Sequence, residues 1–117
     1  MDATDRVDRV TYAPFLLVDM GERSELLLTD WEMLAKTRIF EEREGWLGNG
    51  YDWTSIAEVL VAERLPHLKN SLSFDPEAGT FVAAGPLPAV KSLAEQMVLV
   101  FHDDAQLRDL LSRAVLD

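Results

Sequence analysis

The nine residues Gly45-Trp46-Leu47-Gly48-Asn49-Gly50-Tyr51-Asp52-Trp53 constrain this chain more than any other stretch. Three glycines stand there among two tryptophans and a tyrosine, with helix-like segments on both sides. A glycine inside a helix costs roughly 1 kcal/mol relative to alanine. Three in close succession therefore end one helix and force a corner before the next. The aromatic residues have two uses in such a corner. They can lock it to a core, or they can stand outward and grip a partner.

The flanking sequence supplies the rest of an α+β pattern. Residues 1–9 read as frayed, with charges of both signs and no apolar run. Val10–Met20 is rich in β-formers, Gly21–Ser24 is a turn cluster, and Glu25–Thr29 is a second apolar run, so the three predict a hairpin. Pro14 belongs at an edge or bulge, because it cannot donate to a ladder. Thr29 or Asp30 caps a helix in which Trp31, Leu34, Ala35, Arg38 and Ile39 recur at helical spacing, with Phe40 beside them. Beyond the corner, Asp52 stands where an N-cap belongs, and Ile56, Ala57, Leu60, Val61, Arg64 and Leu65 continue at helical spacing to Pro66. Leu72–Asp75 and Thr80–Ala84 form the clearest hairpin, with Gly79 suited to a left-handed position. Pro88 opens a helix with Val90, Leu93, Ala94, Met97 and Val98 inward, through about Phe101. Asp103 or Asp104 caps a last one with Leu107, Leu110, Leu111 and Ala114 inward. The order is ββααββαα, which predicts an antiparallel sheet with helices packed on one face.

Composition limits the function classes. The 117 residues suit one domain spanning 1–117. There is no cysteine, which removes disulfides, thiolate metal sites and a cysteine nucleophile. No run is long and apolar enough for a membrane span, and the N-terminus lacks a signal-peptide core, so the expectation is a soluble cytoplasmic protein. The net charge is −10, from 21 acidic and 11 basic residues. Residues 1–60 carry 13 acidic and 6 basic groups, net −7. That field repels nucleic acid and anionic membrane and attracts cationic partners, although acidity also serves plain solubility.

Catalytic signals are weak. His67 and His102 lie near helix ends and lack metal-binding spacing. His102-Asp103-Asp104 is better explained as a helix junction with capping aspartates than as a chelate. No serine sits in a nucleophile-elbow context, and Gly48-Asn49-Gly50 fails as a phosphate loop because no strand precedes it and its surroundings are acidic. The expectation is a non-enzyme without cofactor or metal. The surface near the corner is more informative. Glu41, Glu42 and Glu44 precede it, and together with Trp46, Asn49 and Tyr51 they form the expected partner-binding set: carboxylates to steer a basic protein and aromatics to anchor it. Trp53 reads as a core lid, and Asn49-Gly50 as a turn dipeptide with positive φ.

Phe40-Glu41-Glu42-Arg43-Glu44-Gly45-Trp46-Leu47-Gly48-Asn49-Gly50-Tyr51-Asp52-Trp53 resembles the signature of the immunity protein 51 family of bacterial polymorphic toxin systems. A second stretch, Phe74-Asp75-Pro76-Glu77-Ala78-Gly79-Thr80-Phe81, resembles the family's downstream hairpin and stands in the right order. The resemblance runs from about Trp31 to the C-terminus. It marks Gly48, Gly50, Asp52, Trp53, Phe74, Asp75, Pro76, Glu77 and Phe81 as motif positions. It implies a small α+β protein that binds a cognate toxin domain and blocks it stoichiometrically; the chain itself is expected as a monomer or homodimer. The acidic charge suits a basic toxin, with a nuclease as one candidate. The rival expectations are an interaction or scaffold domain without a toxin partner and a small hydrolase using paired carboxylates.

Overall fold

The computed structural model describes residues 6–116. Five antiparallel strands, β1 (Arg6–Asp8), β2 (Leu16–Asp19), β3 (Ser24–Thr29), β4 (Ser73–Phe74) and β5 (Thr80–Gly85), form one sheet in the order β1-β2-β3-β5-β4. The helices are α1 (Asp30–Leu34), α2 (Thr37–Phe40), α3 (Gly50–Arg64), α4 (Leu87–Phe101) and α5 (Asp104–Leu111), with a 3-10 turn at Pro66–Leu68. The α+β class and the antiparallel sheet are those expected.

Strand alternation explains how the sheet is covered. In β3, Leu26 and Leu28 are buried while Glu25 and Leu27 are half-buried, so one face meets the helices. Register carries the rule across: Leu26 lies opposite Leu17 and Ala83, and Leu28 opposite Phe81, and all of these are buried. Leu16, Val18 and Val82 stand half-buried on the other face.

The core is aromatic at its centre. Trp53 of α3 stacks on Phe101 of α4 at 5.7 Å between centroids and meets Phe40 at 5.2 Å. Phe15 sets its edge against Trp53, Phe81 and Phe101, which joins sheet to helices. The stripes expected for α3, α4 and α5 are buried, except that Arg64, Leu65 and Val98 are half-buried.

Four expectations are corrected. The segment expected to fray pairs with β2 from Arg6 to Asp8; residues 1–5 lie outside the described residues. The strand expected from Val10 begins only at Leu16, because residues 10–15 form the turn that holds Pro14. The first helix breaks at Ala35–Lys36 into α1 and α2. The break shifts the helical phase: Met33, Ile39 and Phe40 go inward, and Trp31 and Leu34 go outward. Gly79 does not adopt positive φ; its lack of a side chain admits the Asp30 carboxylate instead.

Candidate functional site

The glycine corner is built by reciprocal capping. Asn49, not Asp52, is the N-cap of α3: its Oδ1 accepts the backbone N–H of Asp52 at 3.0 Å. Asp52 is the third helical residue, and its buried carboxylate reaches back to accept the N–H groups of Leu47 at 2.7 Å and Gly48 at 2.8 Å. This is a capping box whose acid reaches past the cap into the loop. The expectation of positive φ at Asn49-Gly50 is likewise corrected: Asn49 is extended at φ −91°, Gly50 is helical, and Gly48 takes φ +79°. A Cβ on Gly48 would stand 3.2 Å from Phe40 and from the Thr37 backbone.

The second motif packs directly on the first. The Gly50 N–H donates to the Ala78 carbonyl at 3.1 Å, and a Cβ on Gly50 would overlap the carbonyl oxygens of Glu77 and Thr80. Glu77 and Thr80 exchange backbone hydrogen bonds, and Asp75 N–H donates to Val82. Phe74 packs on Phe81 at 6.2 Å between centroids, with Pro76 half-buried in the loop between the strands. One junction thus accounts for the glycines, the aspartate, the tryptophan and the hairpin together.

Of the residues expected to bind a partner, Trp46 does not reach the surface. Trp46 is only 4% exposed, packed on Phe40 and beneath the Arg43 guanidinium, so it is corrected from surface anchor to core residue. The physical reason lies in Arg43, which also donates to the Leu111 carbonyl and closes the segment over the indole. Asn49 spends its side-chain oxygen on the cap. Glu42 is held by Arg108 through a bidentate pair at 2.9 and 3.0 Å, which also keeps its carboxyl below the ordinary glutamate range. Glu41, Glu44 and Tyr51 are exposed.

Sequence periodicity concealed a different surface. Trp31 is 82% exposed, Leu34 61% and Leu47 64%. Leu34, Leu47, Asp30, Met33 and Gly48 line a cleft of about 180 Å³ between α1 and the corner. Trp31 lies one helical turn from Leu34 on the same side of α1. Asp30, Glu32 and Glu77 are exposed nearby and form no ion pair among the described residues. The signal that could have exposed this face is the polar Ala35-Lys36-Thr37 interruption, which contains no glycine or proline to announce a break.

Several cations are committed elsewhere. Lys36 pairs with Asp104 at 2.8 Å, and Arg113 with Glu63 at 2.6 Å and Asp109 at 2.9 Å. Asp103 caps α5 through the N–H groups of Ala105 and Gln106, and His102 meets the Ala13 carbonyl at 3.0 Å. The His-Asp-Asp run is therefore occupied by structural contacts. Among the described residues no helix is long and apolar enough to cross a membrane.

No curated protein and no solved structure matches this chain. A family model, Immunity protein 51, matches residues 15–116, which include both motifs and the junction between them. Match and motif placement agree, and the chain belongs to the Immunity protein 51 family, with the toxin-immunity role and the toxin protein partner which that membership implies.

Proposed function

We propose that this protein is a cytoplasmic, single-domain inhibitor from a bacterial polymorphic toxin system, which neutralises a cognate toxin domain by stoichiometric occlusion without chemistry of its own. The observation that carries this reading is family membership across residues 15–116. The net charge of −10 supports a basic toxin domain as the partner, and a nuclease with a cationic substrate groove has that character. Exposed Glu41 and Glu44 contribute to the steering field, as do Asp30, Glu32 and Glu77. Occlusion needs only a stable surface, and the doubly capped corner supplies a rigid one.

Copurification of the tagged protein from cells expressing its toxin locus tests this. The expected result is one stoichiometric partner whose C-terminal domain kills cells when expressed alone and is harmless beside this protein. Retention should weaken as salt rises, because exposed charges are screened. A partner whose toxicity is unaffected by this protein would refute the inhibitor reading. Salt-independent binding would refute the electrostatic part alone.

A further inference from the structure

We infer that the cleft between α1 and the glycine corner is the toxin-docking surface, and that it receives a lysine or arginine side chain from an otherwise apolar loop of the toxin. The inference rests on the inhibitor reading above and adds the place and chemistry of contact. Three observations bear on this cleft and its rim. Trp31 is the one exposed tryptophan of three, since Trp46 and Trp53 are both buried in the core. Tryptophan is the residue type most characteristic of binding hot spots, because it offers a large rigid area at small entropic cost. Leu34 and Leu47 flank a cleft floored by Met33, which gives the stem of a long side chain an apolar seat. Asp30 lines the same cleft, and Glu32 follows Trp31 on α1; neither has an ion-pair partner among the described residues. Trp31 and Glu32 stand outside the lining and extend the rim along α1 from Asp30, and an arginine entering over that rim can pair with a carboxylate and stack on an aromatic ring at once.

The corner explains why this surface is fixed before binding. Asp52 holds the Leu47 and Gly48 amides, so one wall of the cleft is tied to the start of α3. Met33 and Phe40 anchor the other wall in the core. The family motif thus serves the interface indirectly, by positioning Leu47, while the contacting residues Trp31 and Leu34 lie outside it.

The test uses the full chain labelled with 5-fluorotryptophan. The probe is the toxin domain that copurifies with it and kills cells when expressed alone. The Trp31 fluorine resonance, assigned by its loss in Trp31→Phe, should shift on adding one equivalent, while the Trp46 and Trp53 resonances move less. Trp31→Ala and Leu34→Ser should each weaken binding by about 30-fold or more, chiefly through faster dissociation. Asp30→Lys with Glu32→Lys should slow association by about 10-fold at low salt. Leu99→Ser, on the exposed side of α4, should leave affinity unchanged. Unfolding curves of Trp31→Ala, Leu34→Ser and Leu99→Ser should match wild type, since those side chains are exposed, and Glu32→Lys alone should give part of the association effect without disturbing the Asp30 carboxylate on Gly79. Tight binding with an unmoved Trp31 resonance and unaltered variants would overturn the docking site and leave the inhibitor reading intact. Failure of the wild-type chain to bind any such domain would overturn both.

Discussion

Asp52→Ala should destabilise this protein far more than loss of an ordinary helix cap. The carboxylate accepts two backbone N–H groups at 2.7 and 2.8 Å. Hydrogen bonds to a charged group contribute about 1.5–3 kcal/mol each. Leu47 is exposed, so its amide regains water when the acid is removed, and that bond counts near the lower figure. Gly48 is buried, so its amide stays unpaired and counts near the upper one. The sum is roughly 4–5 kcal/mol, a large part of the 5–15 kcal/mol that holds a domain of this kind together. In a thermal melt the loss corresponds to a fall of roughly 15 °C. Asn49→Ala, which removes the cap itself, should cost only about 1 kcal/mol. Urea unfolding of both single variants and the double variant separates the contributions. A loss for Asp52→Ala no greater than that for Asn49→Ala would refute the back-reaching staple and restore Asp52 to a simple capping role.

Three further outcomes follow from the same geometry. Gly50→Ala should cost about 3 kcal/mol or more, because the new Cβ meets backbone carbonyls of the β4–β5 loop that cannot swing aside; an unchanged melting temperature would mean the two motifs do not touch. Trp31→Ala should change stability by no more than about 0.5 kcal/mol, as an exposed residue with its side chain free of the core, and a cooperative loss of several degrees would show that α1 is buried in solution. Arg113 lowers the carboxyl groups of Glu63 and Asp109 by hydrogen bonding, and Arg108 lowers that of Glu42. Depressed folded-state values contribute stability that is present above the ordinary values of 4.5 and 3.8 and is lost as pH falls through the lowered ones. Melting temperature should therefore decline on acidification below about pH 4.5, and Arg108→Gln with Arg113→Gln should flatten that decline; an equal slope in the variant would exclude these pairs as its source.

The sequence carried the architecture where residue pattern and physics agree. The β4–β5 hairpin is announced by Pro76 and Gly79 between two apolar runs, and α4 and α5 by long inward stripes. It failed where two local solutions are chemically equivalent. Asn49 and Asp52 are both good caps three residues apart, and only the packing of Gly50 on the Ala78 carbonyl decides which begins the helix. A three-residue edge strand of Arg6, Val7 and Asp8 has no pattern to read; it exists because β2 offers it a ladder. Trp31 and Trp46 exchanged their expected roles for one reason. The helix break at Ala35–Lys36 turns Trp31 outward, while Phe40 and Arg43 enclose Trp46. Of the expected anchors, Trp46 is thereby withdrawn from the surface, while Glu41, Glu44 and Tyr51 stay exposed. The resemblance to an immunity family was legible because its motif residues are fold residues: they fix the corner, and they say little about which side chains meet the toxin.

Titration of toxin activity with the purified protein tests inhibition by occlusion most directly. At toxin concentrations well above the dissociation constant, activity should fall in a straight line and reach zero at one equivalent, with full recovery when the complex is dissociated. Complete inactivation by a small fraction of an equivalent would show catalytic turnover of the toxin, and activity unaffected by an excess would show that this chain does not neutralise it.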